Sequence, residues 1–522
     1  MNGGNIIERK NKDSKSNINE WSKNNIVFLI SILITIFIVI YGIIDSEGFE
    51  NISSGIYLFL QSHFSWFYLL ITFCLVVFCV YIGFSKFGNI KLGPDDCEPE
   101  YNTITWFAML FCAGMGVGLV FWSIAEPLAH YIQPIEGIDP MSQEAMRFSI
   151  KSCFMHWGVH PWSLYAIVGL GLAYFQYNKN KPALISCLFE PIIGKKKIGK
   201  NIGNAIDIFT IVLTVIGVAT SLGMACIQIC QGLNYIFGIN VNVKLWIMMI
   251  VVIAIIYIYT AVSGLDKGMK YLSNANLLLA VSLLIIAFCV GPIQSTLNSI
   301  VNGIGEYISG FVMDSLKINP YGDNTWIYTW RVFYWAWWIT WAPFTGVFIA
   351  RISKGRTIRE FIMGVILVPS IACMVWFGVF GNLALNVANL FDAQTLIEMA
   401  ATPETALYFI FNEYPAGIIL SIIAVIVLVI FFITSANSAI FVLSMMSSKG
   451  ELNPSNYRKI LWGIILALFA IILLLTGGLE SIKTISVAAS FPFLFILIAI
   501  CCSIQKVLKS DTKEKYKDKI MD

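Results

Sequence analysis

Charge is what this 522-residue chain has least of. Only 12% of its residues are Asp, Glu, Lys or Arg, while 57% are hydrophobic, and soluble domains carry about a quarter charged. A water-soluble globular protein is excluded, and no nucleic-acid partner is expected. Histidine is scarcer still, with four residues (His63, His130, His156, His160). Twelve cysteines are scattered along the chain without a C-x-x-C pair. Cys226 and Cys230 are four apart, but two thiols do not complete a metal site. His156 and His160 have metal-ligand spacing, yet no third ligand is evident, so a hydrogen bond near a helix end is the better reading. These absences argue against a metal- or cofactor-dependent membrane enzyme, and no cofactor is expected.

What the chain has instead is apolar runs of about twenty residues, each long enough to cross ~30 Å of hydrocarbon. Twelve are legible: 26–44, 65–86, 103–129, 147–175, 205–233, 244–263, 272–295, 326–350, 361–387, 414–446, 458–477 and 484–505. The first has no small-residue cleavage site after it and reads as a retained helix. Of the 34 Lys and Arg, 28 lie in the N-terminal tail, the even-numbered connections or the C-terminal tail. By the positive-inside rule both termini are cytoplasmic and the number of spans is even. The odd-numbered connections are acidic by contrast, with Asp45, Glu47, Glu50, Glu136, Asp139, Glu144, Asp392, Glu398 and Glu404.

Three stretches depart from plain lipid-soluble helix. Gly114, Gly116 and Gly118 stand at alternate positions in the third run, which suits either an unwound helix or close helix packing. The eighth run packs Trp335, Trp337, Trp338 and Trp341 into seven residues and contains Pro343, where a break is expected. Indole faces attract cations that cannot donate hydrogen bonds, above all quaternary ammonium. Trp157, Trp162 and Tyr165 in the fourth run would line one wall of a cavity if helical. The fifth run is rich in hydroxyl and small residues, and the tenth carries Thr434 and Ser435 at mid-membrane. An interrupted run and a hydroxyl-rich run thus each recur five spans later. Five is odd, so the second copy lies inverted, which is the signature of a secondary transporter and favours unwinding at Gly114 to Gly118.

Gly114 to Gly118, His156 to Trp162, Phe333 to Phe344 and Ala350 to Arg356 closely resemble the betaine/carnitine/choline transporter (BCCT) family, over about 85–505. The resemblance implies an all-α polytopic membrane protein of twelve transmembrane helices, a LeuT-type inverted repeat of two five-helix units preceded by two extra helices. The corresponding division is a cytoplasmic tail 1–25, the extra helices 26–87, a first repeat 88–298, an extracytoplasmic interfacial helix 299–325, a second repeat 326–505 and a short basic cytoplasmic tail 506–522. It implies a homotrimer in the cytoplasmic membrane, working by alternating access. Trp157, Trp162, Tyr165 and Trp338 match the family's aromatic box for a trimethylammonium group, and Trp337 and Trp341 match its substrate path. Backbone amides at Met115, Gly116 and Val117 match the carboxylate site, and Gly118 stands where choline carriers tend to place Asp nearby.

For sodium, the resemblance points to backbone carbonyls at Cys112, Met115 and Phe431 with the hydroxyls of Thr434 and Ser435. A second sodium site at Thr214 and Phe344 is weakened because Val218 replaces a Thr found in some coupled members. Asn437 stands where many members have Asp, and the C-terminal tail is shorter than in osmotically activated ones. The expectation is a sodium symporter of glycine betaine or a close relative. A sodium-independent carnitine-type exchanger or a choline transporter is the alternative.

Overall fold

The computed structural model describes residues 25–521 except Met115 and Leu265; the side chains of 111–115, 199–200, 265–268, 270 and 514–521 are outside the description, as is the tail 1–24. Among the described residues the chain is helical throughout, with one isolated β-bridge joining Lys91 to Thr357. In order, the principal helices are α1 (Ile26–Ile44), α2 (Ser46–Phe84), α3 (Thr103–Gly114), α4 (Val117–Ile132), α5 (Gln143–Trp157) and α6 (Val159–Lys179). Then come α7 (Gly203–Phe237), α8 (Val243–Ser263), α9 (Asp266–Val290), α10 (Ile293–Ser315), α11 (Phe333–Ile352) and α12 (Ile358–Val387). The short α13 (Ala393–Ala401) and α14 (Pro403–Asn412) precede α15 (Gly417–Met446), α16 (Asn456–Thr476) and α17 (Leu479–Met521).

Polar residues set the starts of these helices where the apolar runs begin. Thr357 and Glu360 form a capping box on α12, Ser142 accepts from the Ala145 amide on α5, and Asn242 accepts from the Leu245 amide on α8. Each cap satisfies an N–H that the first helical turn leaves unpaired. Gly238 and Gly264, both at positive φ, close α7 and α8.

Burial is arranged for a lipid surround. The outer helices expose large apolar side chains, such as Leu33, Phe37 and Ile44 on α1 and Met248, Ile255 and Tyr259 on α8. Every residue of α4 is buried, and α6 is buried from His160 to Phe175. Nine helices among the described residues are long and apolar enough to cross a bilayer. The expected third, fourth and eighth spans fall outside that set, and they carry the glycines, histidines and tryptophans singled out above.

Three local expectations need correction. The fourth span is broken: α5 ends at Trp157 and α6 begins at Val159, with Gly158 between them at φ −90° and ψ −133°. Conversely, α11 runs unbroken through Pro343. Neighbouring helices hold a proline-containing membrane helix together in this way, and α6 packs directly along α11. The irregularity precedes α11 instead, as a π-helical stretch Ile327–Val332. The helix after the seventh span starts at Ile293, earlier than 299, because Pro292 ends one helix and admits another.

The α6–α11 contact is close because it is built on glycines. A Cβ at Gly346 would lie 2.5 Å from Val168 Cγ1 and 3.1 Å from the Gly169 nitrogen. Gly346→Val should therefore force the helices apart and destabilise the protein by about 1–3 kcal/mol. A lower midpoint in detergent thermal unfolding is expected, and an unchanged midpoint would show that the contact is not tight.

Candidate substrate site

The interruption in the third span leaves Gly116 as the N-cap of α4, in extended conformation and without a side-chain cap. The first N–H groups of α4 therefore face outward with the positive end of the helix dipole behind them, which makes an anion site requiring no cationic side chain. Nothing lies within 4 Å of a Cβ built on Gly116. Met115, expected to contribute an amide here, lies outside the described residues. Gly118 differs: its Cβ position is 2.2 Å from Trp337 Cη2 and 3.2 Å from Trp157 Cη2. An acid at 118 has to displace the Trp337 ring, so Gly116 is the position with room for one.

Beside this helix end the four expected box residues come together. Trp157 and Trp338 meet edge to face at 4.8 Å between centroids, Trp162 and Tyr165 at 5.5 Å, and Tyr165 and Trp338 at 6.4 Å. Trp337 stacks on Trp338 at 4.7 Å and 16°. A small cavity of about 40 Å³ is lined by these five aromatics, Trp341, Gly116, Val117 and Gly118, together with Leu119, Pro161, Ser221 and Cys373, which had not been anticipated. The break at Gly158 lets Trp157 and Trp162 share the cavity from separate helices. Two indole N–H groups are spent on fixing rings: Trp338 Nε1 donates to the His156 carbonyl (2.9 Å) and Trp341 Nε1 to the Gly217 carbonyl (2.8 Å).

Behind the box lies a residue that the sequence reading passed over. Glu126 on α4 is fully buried, and its Oε2 accepts hydrogen bonds from Trp157 Nε1 (2.8 Å) and the Tyr334 hydroxyl (2.5 Å). Its Oε1 faces His156 Nδ1 at 2.7 Å and His130 Nε2 at 3.3 Å. An acid inside a 27-residue apolar run was the available signal, since such a group is kept in a membrane only for a partner or a function. His156 thus pairs with Glu126 and not with His160, which stacks on Trp335 and lies 2.9 Å from Ser315 Oγ. The third group that the sequence did not show beside His156 is Glu126: the ligand atoms of Glu126, His130 and His156 lie within 4.8 Å of one another.

A second, wider space of about 540 Å³ shares Gly116 and Trp341 with the cavity and reaches Tyr101 and Asn274. Phe344, Phe431, Thr434 and Ser435 all line it. The Thr434 hydroxyl bonds back to the carbonyl of Ile430 (2.9 Å) within α15. Cys112 belongs to α3 but its side chain is outside the description; of the five residues expected to ligate sodium, Phe431, Thr434 and Ser435 line this space. Thr214 is placed elsewhere: it is fully buried, its hydroxyl donates to the Thr210 carbonyl (2.8 Å), and it lines neither space.

The family pattern of the betaine/carnitine/choline transporters matches residues 26–513. The chain belongs to that family. It is 42% identical over 500 residues to the glycine betaine transporter OpuD of Bacillus subtilis, covering 95% of this chain and 96% of the relative. It is 40% identical over 505 residues to the ectoine/hydroxyectoine transporter of Virgibacillus pantothenticus, covering 96% and 100%. A glycine betaine transporter of Acinetobacter baylyi is 38% identical over 487 residues, covering 93% of this chain and 73% of the relative. Membership makes the chain a membrane transporter and not an enzyme. Against the family pattern, Asn437 is no isolated oddity, because its Nδ2 donates to Thr260 Oγ1 at 2.9 Å and ties α15 to α8.

Trp338 touches the cavity, stacks on Trp337 and meets Trp157 and Tyr165. Trp338→Ala should weaken binding of any cationic ligand about two- to thirtyfold, since each aromatic contact is worth about 0.5–2 kcal/mol. Ligand-dependent tryptophan fluorescence of the purified protein checks this, and unchanged affinity would place the binding site elsewhere.

Proposed function

We propose that the chain imports a zwitterionic trimethylammonium compound, above all glycine betaine, by sodium symport. The observation that carries the reading is the pairing of an aromatic box with an uncapped helix N-terminus in one cavity whose described lining holds no charged side chain. A bare cation such as choline would find indole faces but no counter-charge, and an unpaired charge at membrane depth is expensive. A zwitterion brings its own carboxylate, for which the amides at Gly116, Val117 and Met115 are suited. The relatives carrying glycine betaine point the same way.

The ectoine carrier among the relatives supports a second substrate reading, because ectoine also joins a delocalised cation to a carboxylate. Choline transport and sodium-independent exchange of carnitine-like compounds remain the rivals, distinguished by the experiments below.

The architecture we propose is twelve spans in two inverted five-helix repeats, α3 to α9 and α11 to α17, after α1 and α2. Support comes from packing: α6 on α11 is matched by α12 on α4, α9 on α15 by α17 on α7, and α8 on α15 by α16 on α7. Each pair becomes its counterpart on advancing five spans. A homotrimer in the cytoplasmic membrane with both termini inside completes the proposal, and there the wider space would be the cytoplasmic vestibule of an alternating-access cycle.

Sodium coupling rests on Phe431, Thr434 and Ser435 lining that vestibule beside Gly116. In proteoliposomes an inward sodium gradient should drive accumulation, and Thr434→Ala with Ser435→Ala should abolish it while leaving the protein folded. Equal uptake in sodium and potassium buffers would refute symport. With Val218 in place of a hydroxyl and Thr214 bonded within its own helix, one sodium per substrate is expected from reversal potentials; a ratio of two would restore the second site.

Selectivity is tested at Gly116, where a side chain has room. Gly116→Asp puts a carboxylate at the N-terminus of α4, where it caps the helix and occupies the anion site. Uptake of glycine betaine should fall and that of choline rise. Unmutated protein that carries choline better than betaine would overturn the substrate assignment.

A further inference from the structure

Glu126 lines neither the box cavity nor the wider space, yet it touches the box. Its Oε2 accepts from the Trp157 indole N–H at 2.8 Å, which can only donate, and from the Tyr334 hydroxyl at 2.5 Å. Trp157 meets the cavity directly, and Tyr334 stacks on Trp338 at 5.9 Å and 29°. One carboxylate therefore reaches both Trp157 and the support of Trp338, from the helix whose N-terminus forms the other end of the site. His156 and His130 hold its Oε1 side, and His156 is itself stacked on Tyr334 at 4.6 Å.

We propose that Glu126 is a positioning and specificity-determining residue: hydrogen-bonded behind Trp157 and Tyr334, it orients the aromatic box and makes its face more negative toward a quaternary ammonium. The physical ground is polarisation. A hydrogen bond from indole N–H to a carboxylate pushes electron density into the ring, and hydrogen-bonded groups in a dry interior polarise one another. Cation–π attraction is electrostatic, so a more electron-rich face holds a cation more tightly. Direct contact between carboxylate and cation would select any cation, including protonated amines. An acid acting through indole favours the large, diffuse charge that cannot donate a hydrogen bond.

The inference rests on the reading of the cavity as a quaternary ammonium site. Its test compares glycine betaine with 3,3-dimethylbutyrate, which has the same shape and carboxylate but an uncharged tert-butyl head. Binding is followed by tryptophan fluorescence on the full-length purified protein. Glu126→Gln, which keeps an acceptor oxygen but removes the carboxylate, should weaken betaine about tenfold and the carbon analogue by less than about twofold. In a Trp157→Phe background, which lacks the N–H, the same change should cost betaine less than about threefold. Equal weakening of both ligands would mark Glu126 as merely structural and overturn the proposal, as would an unchanged betaine affinity or an equal effect in both backgrounds. Should Glu126→Gln not be recovered folded, Tyr334→Phe decides, because it removes a donor to Glu126 from a ring that does not line the cavity: betaine must weaken more than the carbon analogue, and equal losses overturn the inference. Unmutated protein that fails to bind betaine would instead sink the substrate reading, and the inference with it.

Discussion

A helix that stops inside hydrocarbon has to answer for the hydrogen-bonding groups it releases, because no water is there to take them. This chain breaks two helices in its interior and answers the breaks differently. At Gly158 the Val159 amide is taken up by the Tyr307 hydroxyl of α10 at 3.2 Å, so that interruption is closed by protein. Gly158 could not be another residue cheaply, since its Cβ position lies 2.3 Å from the Phe154 carbonyl. At Gly116 the helix end has no side-chain cap and faces a cavity. The first break shapes the box by setting Trp157 and Trp162 on separate helices. The second leaves polar groups for something that comes and goes.

The few charges kept at depth obey the same accounting. Glu126 is surrounded by donors from α5 and α11, and Arg331, 2% exposed, donates to the Asp314 carbonyl at 2.5 Å and lies over the Trp326 ring. The Asp314 side chain in turn meets Lys151 at 3.0 Å. These contacts link α4, α5, α10 and the segment before α11. Breaking one such partnership strands a buried charge, which costs far more than the pair itself gains.

How much of this could be read in the sequence follows from what kind of signal each feature leaves. Periodic apolar runs and the distribution of Lys and Arg are summed over many residues, and they gave the membrane class and the helical segments. The box was legible because four tryptophans within seven residues have no cheap packing explanation. Single residues misled: Pro343 was expected to break α11, yet packing against α6 overrides its missing N–H, while Gly158, unremarked, ends a helix. Glu126 was overlooked because its partners, Trp157 and Tyr334, stand 31 and 208 positions away. Pairing across such distances is a property of the fold and leaves no local pattern.

Gly116 belongs to both spaces, the box cavity and the wider one lined by Thr434 and Ser435. Under the proposed sodium symport, that shared position would supply a physical route for coupling. An unwound segment presents amides in one direction and carbonyls in another, so it can face a carboxylate on one side and a cation on the other. A sodium ion against the carbonyl side would order the segment and add positive potential near the carboxylate, strengthening substrate binding. By linkage the bound substrate must strengthen sodium binding by the same factor. The coupling then needs no dedicated charged side chain, which fits a chain that holds so few.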